Sequence, residues 1–155
     1  MRKENVVDHS DVLARMGPIV TRLLVVDDDP IQRRVIGKIG MQAGHTVLAA
    51  GTLDEAMGLL HAEDIDCATI DLGLGEKNGL DLLKFIVGMG RNIETLVISG
   101  SSEQVLEETR LEAEKQGLVL FALLPKPLDL SSLRQSLARA REAAWFRRDD
   151  DQGAS

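Results

Sequence analysis

Short apolar runs alternate with amphipathic helical patterns five times between residues 21 and 147, and this alternation constrains the fold more than any other feature. The runs are residues 23–26, 45–49, 67–70, 93–98 and 118–124. Continuous apolar stretches of this length suit strands buried on both faces, as in a parallel sheet. Helix signals follow each run. Asp29-Pro30 is an N-cap with proline at the first helical position, and Ile31, Val35, Ile39 and Ala43 recur at helical spacing before Gly44. Thr52 with Glu55 forms a capping box ahead of Ala56, Leu59 and Leu60. Residues 71–78 read as a glycine-rich loop, followed by a helix carrying Leu80, Leu83 and Val87. Ser101 or Ser102 caps a long acidic helix that runs to Gln116 and stops at Gly117. Asp129 caps a last helix carrying Leu130, Leu133, Leu137, Ala140 and Ala144.

Strand-helix alternation predicts an α/β fold, a doubly wound five-stranded parallel sheet with helices on both faces and right-handed crossovers. We divide the chain into an N-terminal extension (residues 1–20), one domain (21–147) and a polar tail (148–155). In the extension, Asp8 or Ser10 can cap a short helix carrying Val12, Leu13 and Met16, ended by Gly17-Pro18.

Composition narrows the function classes. With 44% hydrophobic residues but only three Phe, one Trp and no Tyr, the core must be aliphatic. A net charge of −7 without any basic stripe argues against nucleic-acid partners, whose phosphates call for Lys and Arg. Cys67 is the sole cysteine, which excludes a disulfide framework, and its apolar setting predicts a buried, inert thiol. We see neither a signal peptide nor an apolar run long enough for a membrane span, and expect a cytoplasmic protein with no membrane association.

Ligand sites in doubly wound sheets lie beyond the carboxyl ends of the strands. The residues there are Asp27-Asp28 after the first strand, Asp71 after the third, Ser99-Gly100 after the fourth and Pro125-Lys126-Pro127 after the fifth. Crowded carboxylates repel one another, and a hard divalent cation such as Mg²⁺ relieves that conflict. A carboxylate can accept a phosphoryl group as an aspartyl phosphate. Lys126 supplies a positive charge and Ser99 a hydroxyl suited to phosphate, and backbone N–H groups near Gly73 and Gly100 can complete a cradle. Singly, each residue has an ordinary explanation as a turn or cap. Together they form a site.

The residues 23–30 (LLVVDDDP), 70–80 (IDLGLGEKNGL), 97–101 (VISGS) and 124–128 (LPKPL) resemble the receiver domain of two-component response regulators, in the family's order and near its spacings. The resemblance covers about residues 21–147 and implies the flavodoxin-like receiver fold. It implies that Asp71 takes a phosphoryl group from the phosphohistidine of a sensor histidine kinase or phosphotransfer protein. It further implies that Asp28 and Asp71 ligate Mg²⁺ directly, that Asp27 assists through water, and that the Gly73 carbonyl is a further ligand. Ser99 would then turn toward the phosphate and Lys126 would pair with it. Residues 117–127 also resemble receivers fused to cyclic-diguanylate phosphodiesterase domains.

This chain departs from the family pattern at several positions. Leu123 stands where the family places Tyr or Phe, and Phe121, two residues earlier, would share its strand face. Gly75 replaces a common proline, and Gly100 a common alanine. Gly73 and Ser101 occupy positions that tune phosphoryl lifetime in the family, and the small residue at 73 predicts a short-lived phosphate. Nothing after residue 147 reads as an effector domain, so the expectation is a regulator that acts by docking or by relaying phosphate. The acidic fourth helix, the Trp145-tipped fifth helix and the N-terminal extension are candidate homodimer surfaces; Trp145 packing under the extension is an equal alternative. Two rival functions stand beside this one. A pseudo-receiver would keep the fold without being phosphorylated. A haloacid-dehalogenase-type phosphatase would use Asp27 within Asp27-Asp28-Asp29, but leaves Asp71 without a role.

Overall fold

The structure is a computed structural model that describes residues 20–73, 76–100 and 102–153. The expected helix in the N-terminal extension, and the expectations attached to Gly75 and Ser101, fall outside the described residues. Five parallel strands, β1 (Thr21–Val26), β2 (His45–Ala50), β3 (Cys67–Asp71), β4 (Glu94–Ser99) and β5 (Ala122–Pro125), form one sheet in the order β2-β1-β3-β4-β5. The intervening helices are α1 (Pro30–Gln42), α2 (Leu53–Ala62), α3 (Glu76–Met89), α4 (Glu103–Lys115) and α5 (Leu130–Gly153). This is the doubly wound arrangement that the alternation predicts, in the flavodoxin-like form that the resemblance implies. Among the described residues no helix is long and apolar enough to cross a membrane.

The sheet divides the core in two. On one face Leu24, Val26, Ala68, Ile70 and Val97 meet Ala56 and Leu60 of α2 and Leu82, Leu83 and Ile86 of α3. On the other, Leu23, Val25, Cys67, Leu96 and Ile98 meet Ile36 and Ile39 of α1 and Leu133, Leu137, Ala140 and Ala144 of α5. The core is aliphatic, as the composition requires. Cys67 is buried within it, and burial pushes its thiol far above the usual range, which keeps it inert.

Several helix phases differ from the sequence reading. In α1 the buried positions are Ile36, Gly37, Ile39 and Gly40, whereas Ile31 is 74% exposed and Val35 is exposed. Glycine sets this phase: a Cβ at Gly40 would stand 2.5 Å from Leu23 Cδ2, so only a bare backbone lets α1 lie so close to β1. Leu80 and Leu130, both part of the apolar helical pattern in the sequence, are likewise exposed. Helix α3 starts at Glu76, inside the stretch read as loop.

Strand β5 is shorter than the apolar run 118–124 suggests. Gly117, at φ 93°, and Leu118 instead close α4: the Leu118 N–H donates to the Ala113 carbonyl (2.9 Å) and the Gly117 N–H to the Glu114 carbonyl (3.0 Å). This paired C-terminal cap spends Leu118 on the helix rather than on the sheet. Phe121 therefore precedes the strand, and the alternation expected to place it beside Leu123 does not reach it. Phe121 packs on the α1/α5 side and Leu123 on the α2/α3 side.

Helix α5 continues through the polar residues from 148 on to Gly153. Its later turns are tied across the sheet's amino ends: Arg147 pairs with Glu94, and Arg148 reaches Asp66 Oδ1 (2.5 Å) and the Val20 carbonyl (2.7 Å). Trp145 is buried, with its ring edge-on to Phe146 at 4.8 Å.

Candidate functional site

The strand order reverses between the parallel strands β1 and β3: the chain passes from β1 to β2 on one side and from β3 to β4 on the other. Loops leaving neighbouring strands there diverge and open a crevice at the carboxyl ends. Asp27 follows β1 directly and Asp71 is the last residue of β3, so both acids sit at this point. Pairing of Val26 with Ile70 holds the two strand ends level, and on the other side the Asp27 N–H donates to the Ala50 carbonyl of β2 (3.1 Å).

Both carboxylates are buried, Asp27 at 0% exposure and Asp71 at 3%. Asp71 is fully engaged. Its Oδ1 accepts from the Gly73 N–H (2.8 Å), and its Oδ2 accepts from Lys126 Nζ (2.7 Å) and Gln32 Nε2 (2.9 Å). Asp27 accepts from the Asp29 N–H (2.9 Å) on Oδ1 and from Gln32 Nε2 (2.5 Å) on Oδ2. Burial raises the Asp27 carboxyl above its ordinary range, and the neighbouring Asp71 charge adds to the rise. The Asp29 N–H, the Gln32 amide and Lys126 oppose it.

Local sequence explains each placement. Asp29 caps α1 with its side chain on the Ile31 N–H (2.9 Å), and Pro30 starts the helix, so the chain turns directly after β1. Arg33 Nη1 then donates to the Asp27 carbonyl (2.7 Å). Lys126 lies one residue beyond β5, where its N–H donates to the Ser99 carbonyl (3.0 Å), and its peptide bond to Pro127 is cis. Ser99 is buried at the end of β4, paired with Pro125.

The structure thus joins Asp27, Asp71, Gly73 and Lys126 in one hydrogen-bonded group, with Ser99 next to Lys126 on the rim. Asp28 is exposed beside it, and among the described residues no three His, Cys, Asp or Glu side chains form a ready cage. Gln32 was missed in the sequence, where a polar residue in a helix's first turn attracts no attention. The signal was positional: helical side chains lean toward the amino end, and the third residue of α1 leans back over the strand it has just left.

Fold and site together define a doubly wound α/β domain with an acidic centre at its switch point. Residues 23–138 match the family described as the response regulator receiver domain, and the chain belongs to that family of two-component signalling switches. The sensory/regulatory protein RpfC of Xanthomonas campestris pv. campestris is 32% identical over 143 residues, 85% of this chain. The chain spans only 19% of that protein's length. The transcriptional regulatory protein GlrR of Escherichia coli is 31% identical over 122 residues, 77% of this chain and 26% of that one. Among solved structures, a CheY-like receiver domain from Methanospirillum hungatei superposes with a TM-score of 0.71 at 20% identity, covering 83% of this chain and 98% of that one. A response regulator from Burkholderia pseudomallei, solved with a phosphorylated aspartic acid, calcium ion and citrate, gives a TM-score of 0.64 at 27% identity. That match covers 82% of this chain and 72% of the other.

Proposed function

We propose that Asp71 accepts a phosphoryl group from the phosphohistidine of a sensor histidine kinase or phosphotransfer protein, in a reaction that depends on Mg²⁺. The observation that carries this reading is the Asp71 carboxylate itself, buried at a strand end yet within 2.7 Å of an ammonium that can follow the charge onto a phosphate. A carboxylate oxygen attacks phosphorus, the P–N bond breaks, and its electron pair stays on the imidazole nitrogen. Lys126 neutralises charge on the phosphoryl oxygens, and Ser99, at the end of β4, would donate its hydroxyl to one of them. Attack of water on phosphorus later returns the carboxylate and inorganic phosphate.

The donor set fits Mg²⁺: two buried carboxylates that share one amide, with a third at the rim, are hard oxygen ligands with charge to neutralise. Asp28 and Asp71 would hold the ion directly, Asp27 would assist through water, and the Gly73 carbonyl would be a further ligand. The bound ion supplies charge neutralisation for the transferred group. The Burkholderia relative, with its phosphoaspartate and calcium ion, supports the same assignment.

The test is incubation with acetyl phosphate and Mg²⁺ followed by intact mass, comparing wild type with Asp71→Ala. Expected is a gain of one phosphoryl group that requires Mg²⁺ and vanishes in the variant. Absence of modification in wild type, even beside a cognate kinase, would make the chain a pseudo-receiver. Turnover that survives Asp71→Ala but is lost in Asp27→Ala would make it a phosphatase.

A further inference from the structure

The amide of Gln32 is a neutral group between the two buried acids. Its nitrogen lies 2.5 Å from Asp27 Oδ2 and 2.9 Å from Asp71 Oδ2. Two carboxylates can only accept, so the amide must present its NH₂ edge to them, one proton to each. Hydrogen bonds to charged acceptors are the strong kind, and these two cross-link strand ends that would otherwise repel.

We propose that Gln32 is a positioning residue that stands in for the cation when the site is metal-free, and thereby sets how tightly the cation binds. This inference rests on the Mg²⁺ reading above. A divalent ion held by Asp71, with Asp27 assisting through water, would reverse the sign of the field at the amide. The NH₂ edge that suits two bare carboxylates is then repelled, and the amide must leave or turn its Oε1 inward. Cation entry therefore costs two charge-assisted hydrogen bonds. Bonds of this charge-assisted type are the strong kind, and water replaces them only in part. The placement is also well supported: Gln32 sits in the first turn of α1, whose start is held by the Asp29 cap and Pro30.

The experiment is calorimetric titration of Mg²⁺ into the unphosphorylated full chain, wild type against Gln32→Met, with thermal unfolding of both at zero and saturating Mg²⁺. Methionine keeps the length and helix propensity of glutamine and removes the donors. Expected is Mg²⁺ binding roughly tenfold tighter in the variant, the residue of two lost bonds after water substitutes for them. The variant's unfolding midpoint should fall below wild type without Mg²⁺ and match it at saturation. Equal or weaker Mg²⁺ binding by Gln32→Met would overturn the inference. So would a loss of stability that persists unchanged in Mg²⁺, because that marks a merely structural side chain. Binding by the variant alone would support the inference in its strongest form. Absence of binding in both proteins would instead remove the Mg²⁺ reading, and this inference with it.

Discussion

Lys126 Nζ lies 2.7 Å from Asp71 Oδ2, a contact between residues 55 positions apart that the ends of β3 and β5 bring to one rim. β4 lies between those strands, so the lysine must reach across it. It does so because its own N–H is pinned to the Ser99 carbonyl and its stem passes Gly100, where an added Cβ would stand only 3.7 Å from Lys126 Cδ.

From this contact follows the first prediction. Lys126→Met should fold and should retain Asp71, but accept phosphate from acetyl phosphate at least tenfold more slowly. Loss of one preorganised donor at a developing charge typically costs roughly 10²–10³ in rate, and the cation would still carry part of that load. Single-turnover phosphorylation followed by intact mass measures it. A rate within twofold of wild type would show that the lysine serves only the resting structure.

A second prediction concerns pH. His45 is buried between β1 and α5, and its ring joins the Thr21 hydroxyl at Nδ1 (3.0 Å) to the Leu137 carbonyl at Nε2 (2.8 Å). A carbonyl can only accept, so Nε2 carries the proton and Nδ1 accepts from Thr21. Burial lowers the His45 pKa from 6.5, the nearby Arg141 lowers it further, and the Leu137 bond and Asp66 oppose the shift. The unfolded chain then binds a proton that the folded chain refuses, so stability is full above pH 6.5 and is lost as pH falls below it. The slope from this one group can reach about 1.4 kcal/mol per pH unit. Urea unfolding at pH 7.5 and 5.5 should show the loss in wild type and a smaller one in His45→Gln. Equal losses would place the acid sensitivity elsewhere.

Two glycines of α1 make a contrasting pair. A Cβ at Gly40 would meet Leu23 Cδ2 at 2.5 Å and Val47 Cγ2 at 3.2 Å, while one at Gly37 meets only Val47 Cγ1, at 3.4 Å. Gly40→Ala should destabilise by about 1–3 kcal/mol through overpacking. Gly37→Ala should be neutral or stabilising by up to about 1 kcal/mol, from helix propensity alone. Denaturant midpoints of the two variants decide it, and a Gly40→Ala protein as stable as wild type would show that α1 can lift off β1 without cost.

These glycines also mark where the sequence could be read and where it could not. The strand ends were legible, because a buried parallel strand is a short apolar run; Asp27, Asp71 and Lys126 all lie at or just past such ends. Helix faces were less so. Ile31 and Leu130 belong to first turns that rise above the sheet's carboxyl rim, where no layer opposes them, so their apolar side chains carried a periodicity that burial does not follow. In α1 the true contact was made by glycines, which add nothing to an apolar stripe. Gln32 escaped for a related reason, since nothing in its own neighbourhood of sequence announces two acids, one of them 39 residues away.

The last prediction returns to Asp71 and the lifetime of its phosphate. The Gly73 N–H holds Asp71 Oδ1 at 2.8 Å, which brings the bare α-carbon of residue 73 over the carboxylate. A Cβ there would stand 3.0 Å from Oδ1 and 3.7 Å from Lys126 Nζ, on the approach to the phosphoryl group. With glycine that approach is open, and attacking water meets no side chain from this position. The aspartyl phosphate of the wild type should therefore decay quickly, within minutes rather than hours. Gly73→Asn should slow the decay several-fold by covering the phosphorus, and Gly73→Ala less so, in order of the volume each adds. The measurement is release of inorganic phosphate after removal of the donor, at fixed Mg²⁺. A wild-type half-life of many hours would refute the open-approach argument. Equal decay in all three proteins would show that water arrives from the side of Ser99 instead.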